Sequence, residues 1–244
     1  MPGNARPIPV QVPHEQVPGL RAAIRATAAN ITSFLRRFQG VHIMIADTSD
    51  IDRAAARLTA GGVGHGGVHD IRRPVETATG TRMEPARYLE ISDPRLSPGR
   101  VPEGRIGFAE NTPVDAAQEP QHTDHPNGAT RLAGCVPCVA DTALPEVERR
   151  YESYFGPARH GRATRFDRAD VTVVAASALT GLLPGERPAA LPAFVAHAVA
   201  VRDLSATEEL LRGNDVPTVR TGPEEMFVPA GAALGAAIVF RQDG

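Results

Sequence analysis

Val41-His42-Ile43-Met44-Ile45-Ala46-Asp47, then Thr48-Ser49-Asp50, then Ile51-Asp52-Arg53-Ala54-Ala55-Ala56-Arg57-Leu58-Thr59-Ala60 before Gly61-Gly62, is the stretch that decides the fold. Its opening is a short apolar, β-branched run that predicts a strand over residues 41–46. Ser49 starts a helix in which Ile51, Ala54, Ala55 and Leu58 share one face, and the paired glycines end it. Shorter strands are expected to follow near residues 68–75, 86–91 and 105–110.

Read outward, the pattern recurs. A strand over residues 132–140 leads into a helix over 144–155, a stop at Gly156, and strands near 162–166 and 171–175. A further strand over 194–202 leads into a helix over 205–212, a stop at Gly213, and strands near Thr218, Met226 and residues 236–240. Each round carries an aspartate at the turn into its helix: Asp50, Asp141 and Asp203. This is an internal repeat of about 60 to 70 residues. The fold class is therefore α+β, with tandem βαβββ modules forming curved mixed sheets around a cavity. The expected boundaries are a proline-rich arm and N-terminal helix over 1–39, then modules over 40–128, 129–190 and 191–244. Residues 1–18 hold five prolines and no hydrophobic periodicity, while Leu20, Ile24, Ile31, Phe34, Leu35 and Phe38 recur at helical spacing before Gly40. One module has an open edge and one sheet face to cover, so modules pair. Three is an odd count, and it predicts a homodimer that covers the unpaired one.

The chain has 244 residues with 26 basic against 28 acidic side chains. That balance offers no field for nucleic acid or an anionic membrane, and it leaves a small molecule as the expected partner. Every basic residue is arginine, which reads as codon bias. No stretch approaches the roughly 18 apolar residues of a membrane span, and no apolar leader follows Met1, so a cytoplasmic location is expected. Two cysteines do not make a disulfide framework.

His125-Pro126-Asn127-Gly128-Ala129, followed by Leu132-Ala133-Gly134 and Val139-Ala140-Asp141, resembles a glyoxalase-like family of the vicinal-oxygen-chelate superfamily, which carries HPNGA between consecutive modules. Residues 196–204 look like that family's final module opening and 236–240 like its last strand. Phe34-Leu35-Arg36-Arg37 before Gly40, with residues 54–58, is similar to its second module. The likeness covers roughly residues 30–242. Such proteins usually begin with one more module, where this chain has its proline-rich arm. Where the family tends to read Gln-His, this chain reads Glu110-Asn111.

In that pattern a metal is held from the first and last strands of a module, which places His42 and Glu110 as metal ligands. Imidazole and carboxylate suit a divalent Zn, Fe, Mn or Ni ion with positions left for a chelating substrate. His122 and His125 join Glu110 as candidate acid/base residues, His125 either fixing a turn or facing the cavity. The function expected is that of a small-molecule enzyme, an isomerase, lyase or oxygenase of specialised metabolism, with stabilisation of an enolate or oxyanion by the metal. The alternative is a metal-free binding or sequestering protein whose cavity is lined by residues such as Tyr88, Phe108 and Phe240.

Two other patterns carry less. His122-Thr123-Asp124-His125 and Cys135-Val136-Pro137-Cys138 have zinc-like spacing, yet residues three apart on a strand point to opposite faces. Gly62-Val63-Gly64-His65-Gly66-Gly67 matches a dinucleotide fingerprint in letters but follows a helix, where the fingerprint must follow a strand.

Overall fold

The computed structural model describes residues 14, 17–77, 80–92, 101–111, 124–156, 163–165 and 169–244. Helix α1 runs Val17–Leu35, and Pro18 sits in its first turn, where a missing N–H costs nothing. Phe34 and Phe38 at its end are buried.

Strand β1 (Ile43–Asp47), helix α2 (Ile51–Ala60) and strands β2 (His69–Thr77), β3 (Gly80–Glu90) and β4 (Arg105–Asn111) form the first βαβββ unit. Its four-stranded sheet has the order β1-β4-β3-β2, with β1 parallel to β4 and the other pairs antiparallel. Asp50 caps α2 by accepting from Arg53 N at 2.8 Å. The helix lays Ile51, Ala54 and Leu58 on the sheet against Leu89, Ile106 and Phe108.

The second unit is β5 (Ala129–Val139), α3 (Leu144–Phe155), β6 (Ala163–Arg165), β7 (Asp170–Thr172) and β8 (Val174–Ala175), followed by the short helix α4 (Leu179–Leu182). The third is β9 (Ala193–Val201), α5 (Leu204–Gly213), β10 (Val219–Gly222), β11 (Glu225–Val228) and β12 (Ala237–Gln242). Together they build one eight-stranded sheet, ordered β10-β11-β12-β9-β5-β7-β6 with β8 beside β5. In every unit the opening strand lies parallel to its own closing strand: β1 to β4, β5 to β7 and β8, β9 to β12. The opening strands β5 and β9 then pair antiparallel with each other, which is the seam of the eight-stranded sheet.

Three cores follow from this. One fills the layer between α2, the first sheet and α3, and includes Tyr151 and Tyr154. A second covers the concave face of the eight-stranded sheet, where Leu179 and Leu183 meet Val136, Ala196 and Val239. The third lies under α5, with Leu204, Met226 and Phe240. A register shift at Val136 and Pro137 places a bulge in the middle of the seam, a position where proline's missing N–H is tolerated. No helix among the described residues is long and apolar enough to cross a membrane.

Besides this shared core, the first sheet meets the rest at two polar contacts. Val41 makes a single antiparallel bridge to Phe194, and buried Glu103 pairs with buried Arg150 of α3.

Candidate functional site

The expected metal pair does not converge. His42 accepts from Arg105 N at 2.8 Å through its carbonyl, and Thr48 N donates to Ala109 O at 2.9 Å, so residues 42 to 48 run beside 104 to 110. At about 3.3 Å per residue, the His42 and Glu110 ends of this ladder lie about 20 Å apart. Strand alternation also puts both on the helix side of the sheet, away from its concave face. Glu110 accepts from Ile51 N at 2.8 Å, satisfying an orphan donor at the start of α2, with Arg87 at 3.6 Å. His42 is buried against Phe34 and Phe38, its ring 5.7 Å and 4.6 Å from theirs, and its Nε2 lies 3.2 Å from Phe38 O. Burial lowers its pKa, the Phe38 carbonyl opposes that, and Arg37 adds to it. The two residues serve as a helix cap and a core histidine, and they do not fit one metal ion. Among the described residues no three His, Cys, Asp or Glu side chains form a group that could hold a metal ion.

His122 lies outside the described residues. His125 is exposed, and its carbonyl accepts from Gly128 N at 2.8 Å, closing the turn that feeds β5. Thr207 docks that turn on α5 by donating to Asn127 O at 2.8 Å. Of the residues expected to line a cavity, Phe108 and Phe240 pack under helices, and only Tyr88 lies on the concave side, 5.0 Å from the His69 ring. Cys135 and Cys138 fall in different cores on opposite faces of β5. Burial pushes their thiols up to about 12 and about 11, so neither is a ready nucleophile or metal ligand. The glycine-rich loop after α2 is held by His65, whose ring bonds Thr59 and Gly67 N.

The chemistry-bearing surface is the concave face of the eight-stranded sheet. Its middle is small, apolar and buried: Ala196 and Ala198 from β9 lie beside Ala237 and Val239 from β12, and Ala200 lies beside Arg241 at the charged end. At one end Arg241 is clamped between carboxylates, with Nε 2.8 Å from Glu225 and Nη1 3.4 Å from Asp170. The second Glu225 oxygen accepts from Thr221 at 2.7 Å. Gly134 is required there, since a Cβ would sit 2.5 Å from the Asp170 carboxylate. Toward the other end the bulge turns Val195 onto the same face, and a cleft of about 370 Å³ opens above Val195 and Leu179. Its rim is formed by residues 186–189, 230–232 and 234–235, pinned together where Glu186 accepts from Ala230 N at 3.3 Å. Sequence reading missed this surface. The alternation of Glu225 with Phe227 and of Val239 with Arg241 was its signal, but alternation alone does not say which face is concave.

No family model and no curated protein matches the sequence. Solved structures do. The chain is similar to methylmalonyl-CoA epimerase from Mycobacterium tuberculosis, at 20% identity over 48% of this chain and 90% of that one, with TM-score 0.35. It is similar to homoprotocatechuate 2,3-dioxygenase from Arthrobacter globiformis, at 15% identity over 84% of this chain and 62% of that one, with TM-score 0.44. A variant of 4-hydroxymandelate synthase from Streptomyces coelicolor matches at 11% identity over 83% and 71%, with TM-score 0.46. Each of these likenesses is under 25% identical, with a TM-score below 0.5.

Proposed function

We propose that this protein binds a small organic molecule, without a metal held by His42 and Glu110, in the cleft above Val195 and Leu179. The observation that carries this reading is the cleft itself: about 370 Å³, at the size of small-molecule sites, with Leu179, Pro188, Val195 and Leu234 offering apolar contact and Gln39, Glu186 and Arg187 at its rim. A ligand with an apolar body and one polar end suits this lining.

Titration with anilinonaphthalene sulfonate tests it, alongside native mass spectrometry of the purified protein for retained small molecules. Ala232 is exposed on the rim, so Ala232→Trp fills the mouth without touching the core. Saturable dye binding weakened at least tenfold by Ala232→Trp, with unchanged circular dichroism, is the expected result. Equal binding by both proteins would remove the cleft from consideration.

A catalytic reading is favoured by one feature, the Asp170–Arg241–Glu225 cluster on the same face. Acid/base work would fall to these side chains, and Arg241→Met would then abolish turnover while leaving dye binding in the cleft intact.

A further inference from the structure

The cleft above Val195 and Leu179 brings together distant parts of the chain: Gln39 from the turn after α1, residues 186–189 after α4, and Leu234 with Gly235 before β12. Two of these parts are wedged together. Gly235 has a φ of 94° and lies so near the turn after α1 that a Cβ on it would collide with the carbonyl of Gln39. The residue before it carries the consequence. Leu234 is held in the left-handed region at φ 56°, where a leucine is strained and has no polar side chain to bond its own backbone as asparagine does. Its side chain is 74% exposed, so burial within the fold does little to offset that strain. The wedge sets Leu234 as an apolar wall at the mouth of the cleft.

The polar groups of the rim are biased toward donors. Among the described lining residues Glu186 is the one anion and Arg187 the one cation. Glu186 is committed, because its carboxylate accepts from Ala230 N. The side chains of Gln39 and Arg187 are exposed and make no hydrogen bond or ion pair with a described residue. What remains for a ligand is a guanidinium and an amide, beside one fixed negative charge. A guanidinium fork matches a carboxylate in charge and in shape. We infer that the ligand of this cleft is a monocarboxylic acid with an apolar chain or ring, its carboxylate on Arg187 and its body between Leu234 and the surface of Val195 and Leu179. An amine would meet the guanidinium, and a phosphate dianion would meet Glu186. The volume of about 370 Å³ is near the lower end of small-molecule sites, which suits a small acid. This inference rests on the proposed ligand-binding role of the cleft and narrows it to one chemical class.

Isothermal titration calorimetry of the full chain with octanoate, octanol and octylamine tests it, using the parent, Arg187→Gln, Leu234→Gly and Ala232→Trp. Octanoate should bind the parent about tenfold more tightly than octanol, with octylamine the weakest of the three. Arg187→Gln should erase the preference for octanoate and leave octanol unchanged. Leu234→Gly should weaken octanoate and octanol alike, by about fivefold, through loss of apolar contact. Its melting temperature should not fall, because glycine accepts the left-handed backbone. Equal binding of octanoate and octanol, or a preference that survives Arg187→Gln, overturns the inference, and the cleft still stands as a binding site if Ala232→Trp weakens both. Octanoate binding that Ala232→Trp leaves unchanged places the acid elsewhere and also overturns it. No heat with any of the three, together with no dye binding by the parent, removes the cleft and the inference at once.

Discussion

His42 is held neutral by its surroundings. Two phenylalanine rings flank it, its Nε2 donates to Phe38 O, and its Nδ1 is buried without a partner among the described residues. Burial lowers the pKa below the ordinary imidazole value of 6.5, as it also does for His197. Between the folded and unfolded values the unfolded chain binds more protons, so stability rises with pH. The contribution is fully present above about pH 6.5 and is lost as pH falls toward the folded value. The melting temperature should fall from about pH 7.5 to about pH 5, and the fall should be shallower in His42→Leu. An unchanged slope in that variant would mean that protonation of His42 is not opposed by its site. The sequence marked His42 as a strand histidine with possible ligand chemistry. Its identity was legible and its direction was not, because the rings that surround it come from the end of α1 and the turn after it, outside the strand.

At the scale of an element, α2 is the clearest case. Its apolar face and its glycine stop were readable within the stretch from 49 to 62, because each depends on backbone geometry over a few residues, whereas the start expected at Ser49 falls instead at the cap Asp50. Its second cap was not readable. Glu110 lies 59 residues from Ile51 in sequence and reaches the helix only because β4 pairs beside β1. Removing it leaves Ile51 N without its partner, so Glu110→Ala should lose about 1 kcal/mol of stability in urea denaturation. Metal content by plasma mass spectrometry should not change with the substitution. Metal lost together with Glu110 would restore the ligand reading. The same element scale explains the cysteines: three-residue spacing on β5 separates them to two faces, as strand geometry requires.

The whole molecule is two sheets joined through a shared apolar core, and a buried ion pair lies beside that core. Glu103 is 0% exposed and Arg150 8%, and they link the segment before β4 to α3. Burial raises the Glu103 pKa, and Arg150 pulls it back. Breaking such a pair strands a charge in a poorly solvated place, so Arg150→Met should cost about 3 to 5 kcal/mol. The double replacement Glu103→Leu with Arg150→Met should recover at least half of that in equilibrium unfolding. Failure to recover would locate the loss in packing of the Arg150 stem instead of the unpaired charge.

What the sequence by itself determined is the repeat: strand, aspartate turn, helix, glycine stop, shorter strands, three times over, together with the Asn127-Gly128 turn between the first two units. These follow from periodicity and turn chemistry that act over neighbouring residues. Only the tertiary structure decided that the second and third units pair through β5 and β9, that the bulge at Pro137 turns Val195 onto the concave face, and that His42 and Glu110 occupy opposite ends of the helix side. Strand partners and sheet faces are chosen by burying whole surfaces from distant parts of the chain against one another. A one-residue difference in register reverses every side chain on a strand, so local pattern cannot say which of them a cavity receives.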